Sequence, residues 1–172
     1  MLAVMPEAAS EVTGEQVNQP ADGSTPTLVV ERFLDHLRAG DIDAAAELLD
    51  VDVEYTNVSL PTLHGRKRVR QFFQRTLGRA GGGFEVYIHA IAADGPTVLT
   101  ERTDVLKLGR LSVQLWVCGR FDVRDAQIVV WRDYFDWLNF TAAMIRGLLG
   151  TVVPAARAKP PSRAGPNARS AP

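Results

Sequence analysis

The sequence predicts an α+β fold in which a curved, mostly antiparallel sheet carries helices on its concave side and forms a cone around a pocket. Two observations lead to this prediction. Helical periodicity dominates the first half of the folded region, and four stretches of alternating polarity follow in the second half, separated only by short turns. Strands joined by such turns pair as an antiparallel meander, and the helices then cover one face. A long twisted sheet curls, so the covered side encloses a pocket.

Length and composition agree with one globular domain. The chain has 172 residues, 46% of them hydrophobic, and a formal net charge of −1, so the overall charge points to neither nucleic acid nor an anionic partner. Cys118 is the only cysteine, which excludes an intrachain disulfide and favours a reducing compartment. The N-terminus does not resemble a signal peptide, and no apolar run reaches the about 20 residues of a membrane span. We therefore expect a cytoplasmic protein without a membrane span.

Two tails are predicted to flank this domain, which spans residues 25–150. Residues 1–24 mix Pro, Gly, Ser, Glu and Gln without periodicity, and we expect them to be disordered. Residues 151–172 hold five prolines and four basic residues without an acid, and the same prediction applies. A basic tail can contact nucleic acid or an anionic membrane, but a solvated tail is the simpler interpretation.

The domain begins with two predicted helices. Thr25 caps the first, which has Pro26 at its first position and ends at Gly40. Asp41 caps a short second helix, which we expect to run through Leu49. Helical spacing predicts that the inward-facing residues are Val30, Phe33, Leu34 and Leu37 in the first helix and Ile42, Ala45, Leu48 and Leu49 in the second.

A strand over residues 51–58 and a third helix come next. Alternation places Val51, Val53, Tyr55 and Asn57 of the strand on the core face, where the amide of Asn57 is out of place. The apolar stripe of the third helix comprises Val69, Phe72, Phe73 and Leu77, and its outer face is basic but most simply solvated.

The second half is predicted to be the meander, followed by a last helix. The glycines at 81–83 form a flexible turn and not a phosphate-binding loop, because they lack the lysine and the strand-to-helix context of one. We predict strands over residues 84–91, 98–108, 111–123 and 128–135, with a helix over 138–149 that ends at Gly150.

Charged residues fall on the core faces of two meander strands. Arg102 and Asp104 share the apolar face of the second strand, and Asp133 shares a face with Trp131 and Phe135 in the last. A buried ion pair or lone carboxylate is costly unless its desolvation is offset. A network that only fixes strand register, or a face assignment wrong by one residue, is the structural alternative. Together with Tyr55 and Asn57, however, five polar groups converge, which favours a functional pocket.

The charges of this cluster suggest acid–base chemistry. Arg102 with both aspartates ionised would leave one negative charge in an apolar cavity, whereas one retained proton makes the cluster neutral. One carboxyl would then be an acid and the other a base at neutral pH, as push–pull reactions require. Tyr55 and Asn57 do not titrate usefully at neutral pH, but together they can hold a water molecule.

The other candidates carry less chemistry. The three histidines, His36, His64 and His89, are scattered without ligand spacing, so we expect no metal. Cys118 has no adjacent base, and no glycine fingerprint of a nucleotide site follows a strand. We therefore expect no cofactor.

Three short motifs resemble the limonene-1,2-epoxide hydrolase family. They are Y-T-N at 55–57, R-T-D at 102–104 and W-R-D-Y-F-D at 131–136, and the likeness covers roughly residues 28–149. The resemblance implies the cone-shaped α+β fold of the NTF2-like and SnoaL-like group, which also holds ketosteroid isomerases and polyketide cyclases. It further implies a homodimer without cofactors.

The resemblance also implies a role for each polar residue. Asp133 would be the general base for a water held by Tyr55 and Asn57, and Asp104 the general acid for the epoxide oxygen. Arg102 would bridge the two carboxyls. Water would attack directly, without a covalent enzyme intermediate, and a vicinal diol would leave.

The expected pocket walls are apolar, which implies a lipophilic substrate such as a terpene, sterol or fatty-acyl epoxide. Two alternatives stay open at this point. A ketosteroid-isomerase-like or polyketide-cyclase-like enzyme would use Asp133 as carbon-acid base and Tyr55 or Asp104 as oxyanion donor. A non-catalytic carrier of sterols or terpenes would use the scaffold alone. The predicted walls are Leu34, Leu37, Val86, Leu106, Leu115, Val117, Phe135, Phe140 and Leu148.

Overall fold

The computed structural model describes residues 25–78, 81–156, 158–159 and 161. The predicted N-terminal tail, 1–24, lies outside this part of the chain, as does most of the predicted C-terminal tail. In chain order the elements are α1 (Pro26–Ala39), α2 (Ile42–Glu47), β1 (Leu49–Asn57), β2 (Leu63–His64), α3 (Arg66–Thr76), β3 (Gly82–Asp94), β4 (Thr97–Leu108), β5 (Leu111–Arg124), β6 (Gln127–Tyr134) and α4 (Trp137–Val152), with a short 3-10 helix at Pro154–Ala156.

The strands form one curved sheet in the order β2-β1-β6-β5-β4-β3. Neighbours from β3 to β6 pair antiparallel, which confirms the predicted meander, and β1 joins β6 in parallel. Helices pack on the concave side of this mixed sheet, so the predicted α+β fold class is confirmed. The short strand β2 was not predicted, because two residues are too few to show alternation.

Helix α1 forms where its capping residues predict it. The Thr25 hydroxyl accepts a hydrogen bond from the Leu28 amide at 3.3 Å, and Gly40 ends the helix with φ of 76°. Its predicted apolar stripe is buried against the sheet, where Phe33 meets Trp131 edge-on with ring centroids 4.9 Å apart.

Helix α2 is shorter than predicted and ends at Glu47. The Leu48 carbonyl accepts the Ile128 amide, and Leu49 pairs with Ile128 as the first residue of β1. Pairing with β6 therefore extends the chain before a further helical turn can form.

The predicted inward orientation of Val51 is wrong. Its side chain is 66% exposed, whereas Val53 and Tyr55 are buried as expected. The register between β1 and β6 shifts between Leu49 and Glu54, and such an irregularity breaks strict alternation.

The glycines at the start of the meander are not all turn residues. Gly82 and Gly83 belong to β3 and pair with Leu108 and Lys107, while Gly81 accepts the Gly109 amide. Pairing with β4 holds these residues extended in spite of their local flexibility, so β3 begins two residues earlier than predicted.

Helix α4 continues past its predicted end. Asp136 caps it through the amides of Leu138 and Asn139, and the helix runs to Val152. Gly150 is a buried helical residue and not a terminator. A Cβ added at Gly147 would lie 2.6 Å from the Ser112 carbonyl oxygen, so this glycine permits close packing on β5.

The buried apolar residues form two clusters beneath the helices. The larger one joins α1, α2 and α3 to the sheet through Phe33, Leu34, Leu37, Val86 and Trp131, among others. A smaller one joins Ala143 of α4 to Val113, Leu115 and Val117 of β5. Within the described residues, no helix has both the length and the apolar composition needed to cross a bilayer.

Candidate active site

Arg102 lies between the two predicted carboxylates. Its Nε atom donates to Asp104 Oδ1 at 2.9 Å and Oδ2 at 3.1 Å, and its Nη2 atom lies 2.7 Å from Asp133 Oδ1. Arg102 is fully buried, and both aspartates are more than nine-tenths buried. The second contact is an ion pair without the alignment of a hydrogen bond. The guanidinium therefore holds both carboxylates in one fixed arrangement.

Gly119 makes this arrangement possible. Strand β5 separates Arg102 on β4 from Asp133 on β6, and Gly119 is the β5 residue paired with Asp133. A Cβ at Gly119 would lie 2.2 Å from Arg102 Nη1 and 2.7 Å from Thr100 Oγ1. The Arg102 side chain therefore crosses β5 where that strand has no side chain. No motif in the sequence marked this glycine.

The parallel pairing of β1 with β6 brings in the remaining polar groups. Tyr55 pairs with Trp131, and Asn57 pairs with Asp133. The Asn57 side-chain amide donates to the Tyr55 hydroxyl at 2.7 Å, and the Trp131 indole donates to Asp133 Oδ1 at 2.8 Å. All five predicted polar residues thus belong to one cluster, and Trp131, to which the sequence assigned no role, is an additional member.

Burial controls the protonation of this cluster. Desolvation raises the pKa of the Asp104 carboxyl to about 6; the Arg102 charge opposes this rise, and the Asp133 charge adds to it. Burial and the neighbouring Asp133 charge also raise the pKa of the Tyr55 phenol, which stays protonated at neutral pH. Desolvation favours neutral Arg102, but the two aspartates outweigh it and raise the pKa of the guanidinium, so it remains charged.

A cavity of about 270 Å³ opens onto these carboxylates. Five of the predicted apolar wall residues line it: Leu106, Leu115, Val117, Phe135 and Phe140.

Four predicted wall residues do not line this cavity. Leu34, Leu37 and Val86 lie in the larger core cluster, because α1 packs directly on the sheet and leaves no space there. Leu148 is more than half exposed, because α4 turns its small residues toward β5.

The walls that sequence reasoning missed come mostly from α3 and the strand ends. The sequence predicted Phe72, Phe73 and Leu77 as the apolar stripe of α3, and this stripe was the available signal for these wall residues. In the structure the rings of Phe72 and Phe73 lie against Tyr55. Phe84 pairs with Leu106 and shares its face. The additional lining residues are Leu60, Phe72, Phe73, Thr76, Leu77, Phe84, Leu108, Trp131 and Trp137.

The arrangement combines a carboxyl that holds its proton up to about pH 6 with a second carboxylate on the same apolar cavity. Such a pair can protonate one atom of a bound molecule while it removes a proton elsewhere. Tyr55 and Asn57 also line the cavity and offer hydrogen-bonding groups beside Asp133.

Comparison with known proteins identifies the family. The limonene-1,2-epoxide hydrolase catalytic domain matches residues 24–146. Epoxide hydrolase EphG of Mycobacterium tuberculosis is 46% identical over 129 residues, which are 75% of this chain and 85% of that protein. The solved structure of an M. tuberculosis LEH-like epoxide hydrolase has 44% identity and a TM-score of 0.74, covering 78% of this chain and 95% of that one.

More distant structures share the fold alone. A putative polyketide cyclase from Xanthomonas campestris pv. campestris has 24% identity and a TM-score of 0.60, over 69% of this chain and 96% of that one. The domain match and the close relatives decide the family. The chain therefore belongs to the limonene-1,2-epoxide hydrolase family and is an epoxide hydrolase of that type.

Proposed function

We propose that the protein hydrolyses a compact lipophilic epoxide to a vicinal diol in one step, by attack of an activated water molecule. The observation that carries this proposal is the Asp104–Arg102–Asp133 cluster at the wall of an apolar cavity. Ring strain makes an epoxide suited to this site, because simultaneous protonation and attack can open the ring without a covalent enzyme intermediate.

Asp133 is the proposed base. The Trp131 indole and the Arg102 guanidinium both contact Oδ1, so we assign Oδ2 to the attacking water. Tyr55 and Asn57 stand beside Asp133 through the β1–β6 pairing and would supply further hydrogen bonds to that water. Three groups from two adjacent strands would then fix its position and orientation.

Asp104 is the proposed acid. Its raised pKa keeps the proton on this carboxyl up to about pH 6, and Arg102 Nε orients the carboxyl through both oxygens. When the C–O bond breaks, this proton passes to the epoxide oxygen while Asp133 takes one from water. The cluster keeps its total proton count, and transfer of a proton from Asp133 back to Asp104 completes the cycle.

The cavity supports a compact, apolar substrate. Its walls are mainly aromatic and aliphatic side chains, so binding depends on apolar area removed from water. A volume of about 270 Å³ is at the lower limit for drug-sized ligands, which favours a terpene-sized epoxide over a complete sterol.

A single-turnover reaction in oxygen-18 water tests the mechanism. We expect the label in the diol, whereas label confined to the enzyme would contradict direct attack by water.

Asp104→Asn and Asp133→Asn should each lower kcat by several orders of magnitude, because each removes one proton-transfer group. Asp43→Asn, at an exposed ion pair with Arg70, is the matched control and should retain activity.

Arg102 argues against Asp104 as the oxyanion donor of an isomerase-like or cyclase-like reaction at this site. The charged guanidinium favours ionisation of Asp104, whereas an oxyanion donor must keep its proton throughout. Exchange of substrate α-protons without diol formation would support that alternative. Tight binding of a sterol or terpene without turnover of any epoxide would support a carrier.

We also propose a homodimer formed through the outer face of the sheet. Leu99 of β4, Trp116 of β5 and Tyr134 of β6 are large and about half exposed there, and apolar patches of this kind mark interaction sites. Light scattering on the full chain tests the proposed dimer: the wild type should have twice the mass of one chain, and Trp116→Ser should lower it.

The cytoplasmic location stays a prediction, supported by the single cysteine.

A further inference from the structure

Helix α4 packs small residues and the partly buried Phe140 and Met144 on the sheet, and it leaves its large aliphatic residues exposed. The residues it buries fully are small, namely Ala143, Gly147 and Gly150. Large aliphatic residues point in the opposite direction, and Leu138 and Val152 are 81% and 80% exposed. A surface helix usually turns its largest apolar residues toward the core. The outer stripe of α4, defined here as Leu138, Ile145, Leu149 and Val152, therefore has the composition of a buried face.

Apart from Asp136, which caps the start of α4, the charged residues of α4 and of the chain after it all have one sign. From Trp137 to the last residue, Pro172, the sequence contains no Asp or Glu but has Arg146 within α4 and Arg157, Lys159, Arg163 and Arg169 after it. Arg146 and Lys159 are exposed. An apolar helical face flanked by basic residues matches the surface of a bilayer with anionic lipids.

The stripe is continuous with the mouth of the cavity. Trp137, the first residue of α4, lines the cavity and is 40% exposed, and it directly precedes Leu138. Leu60, Phe72 and Leu108 also line the cavity with more than a third of their surface in contact with solvent. Trp137 therefore joins the apolar stripe of α4 to the wall of the cavity.

Two other occupants of this stripe are disfavoured: a second copy of the chain, by charge, and the C-terminal segment, by its composition. Two copies packed through α4 would bring Arg146 and both basic tails together, and like charges repel. The residues after Val153 contain no aliphatic residue larger than proline, so the C-terminal segment cannot cover the stripe with matching apolar area.

We propose that α4 docks on an anionic membrane, with its outer stripe in the headgroup boundary and the basic residues beside it on lipid phosphates. The docking proposal depends only on the exposed apolar stripe of α4 and on the basic residues beside it. Its consequence, delivery of a lipophilic epoxide from the bilayer to the cavity, rests on the proposed function.

Flotation of the full chain with vesicles tests the docking. One vesicle preparation contains equal parts phosphatidylcholine and phosphatidylglycerol, and the other contains phosphatidylcholine only. We expect at least about tenfold stronger partitioning to the anionic vesicles, weakened by salt. Ile145→Ser/Leu149→Ser and Arg146→Gln/Lys159→Gln should each lower it by about tenfold or more. Val51→Ser, at an aliphatic position on β1 that is 66% exposed against 55% for Ile145 and 57% for Leu149, is the matched control and should change nothing.

Three results would overturn the docking proposal: equal partitioning to both vesicles, no partitioning, or partitioning that neither double variant lowers. A doubled mass in light scattering that Ile145→Ser/Leu149→Ser abolishes would assign the stripe to a second copy instead. Should that variant fail to fold, the charge variant and the phosphatidylglycerol dependence still decide. Hydrolysis of a water-soluble epoxide without vesicles should be unchanged in both variants. Its absence in every protein would contradict the proposed function and leave the docking result standing.

Discussion

At the scale of single residues, the protonation state of Asp104 controls when the proposed chemistry can run. Burial outweighs the attraction of Arg102, and the pKa of this carboxyl rises to about 6. A general acid must carry its proton at the start of the reaction. The active fraction of the free enzyme therefore falls as pH increases through this pKa.

We predict that kcat/KM falls about tenfold per pH unit once the pH exceeds about 6. Steady-state rates over a pH series, with a substrate that does not itself titrate, measure this limb. The residual activity of Asp104→Asn should lack it. A wild-type profile that stays level up to about pH 9 would remove Asp104 from the acid role.

Trp131 is a positioning residue for the proposed base. Its indole donates to Asp133 Oδ1 at 2.8 Å, and its ring lies tilted against that of Tyr55 with centroids 4.2 Å apart. Trp131→Phe keeps most of the ring but removes the donor, and a lost hydrogen bond to a buried charged group costs about 1.5–3 kcal/mol. We expect kcat to fall by about tenfold or more while KM changes little.

The matched control for this substitution is on the outer face of the sheet. The Trp116 indole donates to the exposed Glu101 carboxylate at 3.1 Å. Trp116→Phe removes the same kind of bond on the face of the sheet opposite the cavity and keeps an aromatic ring for the proposed dimer contact, so kcat should stay at the wild-type value. An equal loss in both variants would show a general effect of tryptophan removal.

At the scale of elements, β5 positions the site by omitting one side chain. Gly119 leaves the gap through which Arg102 passes from β4 to Asp133 on β6. Its neighbours Val117 and Phe121 are buried side chains on the same face. The catalytic cluster thus depends on a strand that contributes no charged group to it.

We predict that Gly119→Ala displaces Arg102, because the new Cβ would lie 2.2 Å from Nη1. The variant should lose about 1–3 kcal/mol of unfolding free energy and at least about a hundredfold in kcat. Gly83→Ala on β3 is the control, since its Cβ would meet Lys107 at an ordinary 3.6 Å. Denaturant unfolding and steady-state kinetics measure both. Wild-type kcat in Gly119→Ala would show that Arg102 needs no such gap.

At the scale of the whole molecule, the fold encloses a charged cluster in an apolar interior. In the unfolded chain the Asp104 carboxyl has its ordinary pKa of 3.8, and folding raises that pKa to about 6. The folded state therefore binds more protons in this window, so its stability decreases as pH rises from about 4 to about 6. Above that range the carboxyl is ionised in both the folded and the unfolded state, so it adds no further pH dependence to the stability.

We predict a difference between wild type and Asp104→Asn in the pH dependence of unfolding. From about pH 5 to about pH 8 the wild type should lose about 1 kcal/mol relative to the variant, because an amide does not titrate. Urea unfolding at both pH values measures the two changes, and the other carboxylates cancel in the comparison. Parallel curves for the two proteins would mean that Asp104 ionises as readily in the fold as in water.

The sequence by itself was sufficient for features that follow from local rules. Capping chemistry predicted α1 from Thr25 to Gly40, and alternation placed Arg102, Asp104 and Asp133 on buried faces. Short turns predicted the antiparallel meander. These features depend on backbone geometry within a few residues, which a sequence displays directly.

Only the tertiary structure decided which buried positions meet the cavity. Leu34 and Phe72 belong to predicted apolar stripes of two helices, but α1 packs flat on the sheet whereas α3 borders the cavity. The register shift that exposes Val51 and the pairing that places Gly119 opposite Asp133 are likewise set between strands. The physical reason is the same in each case: periodicity says that a residue is buried, whereas the relative placement of distant elements decides what it is buried against.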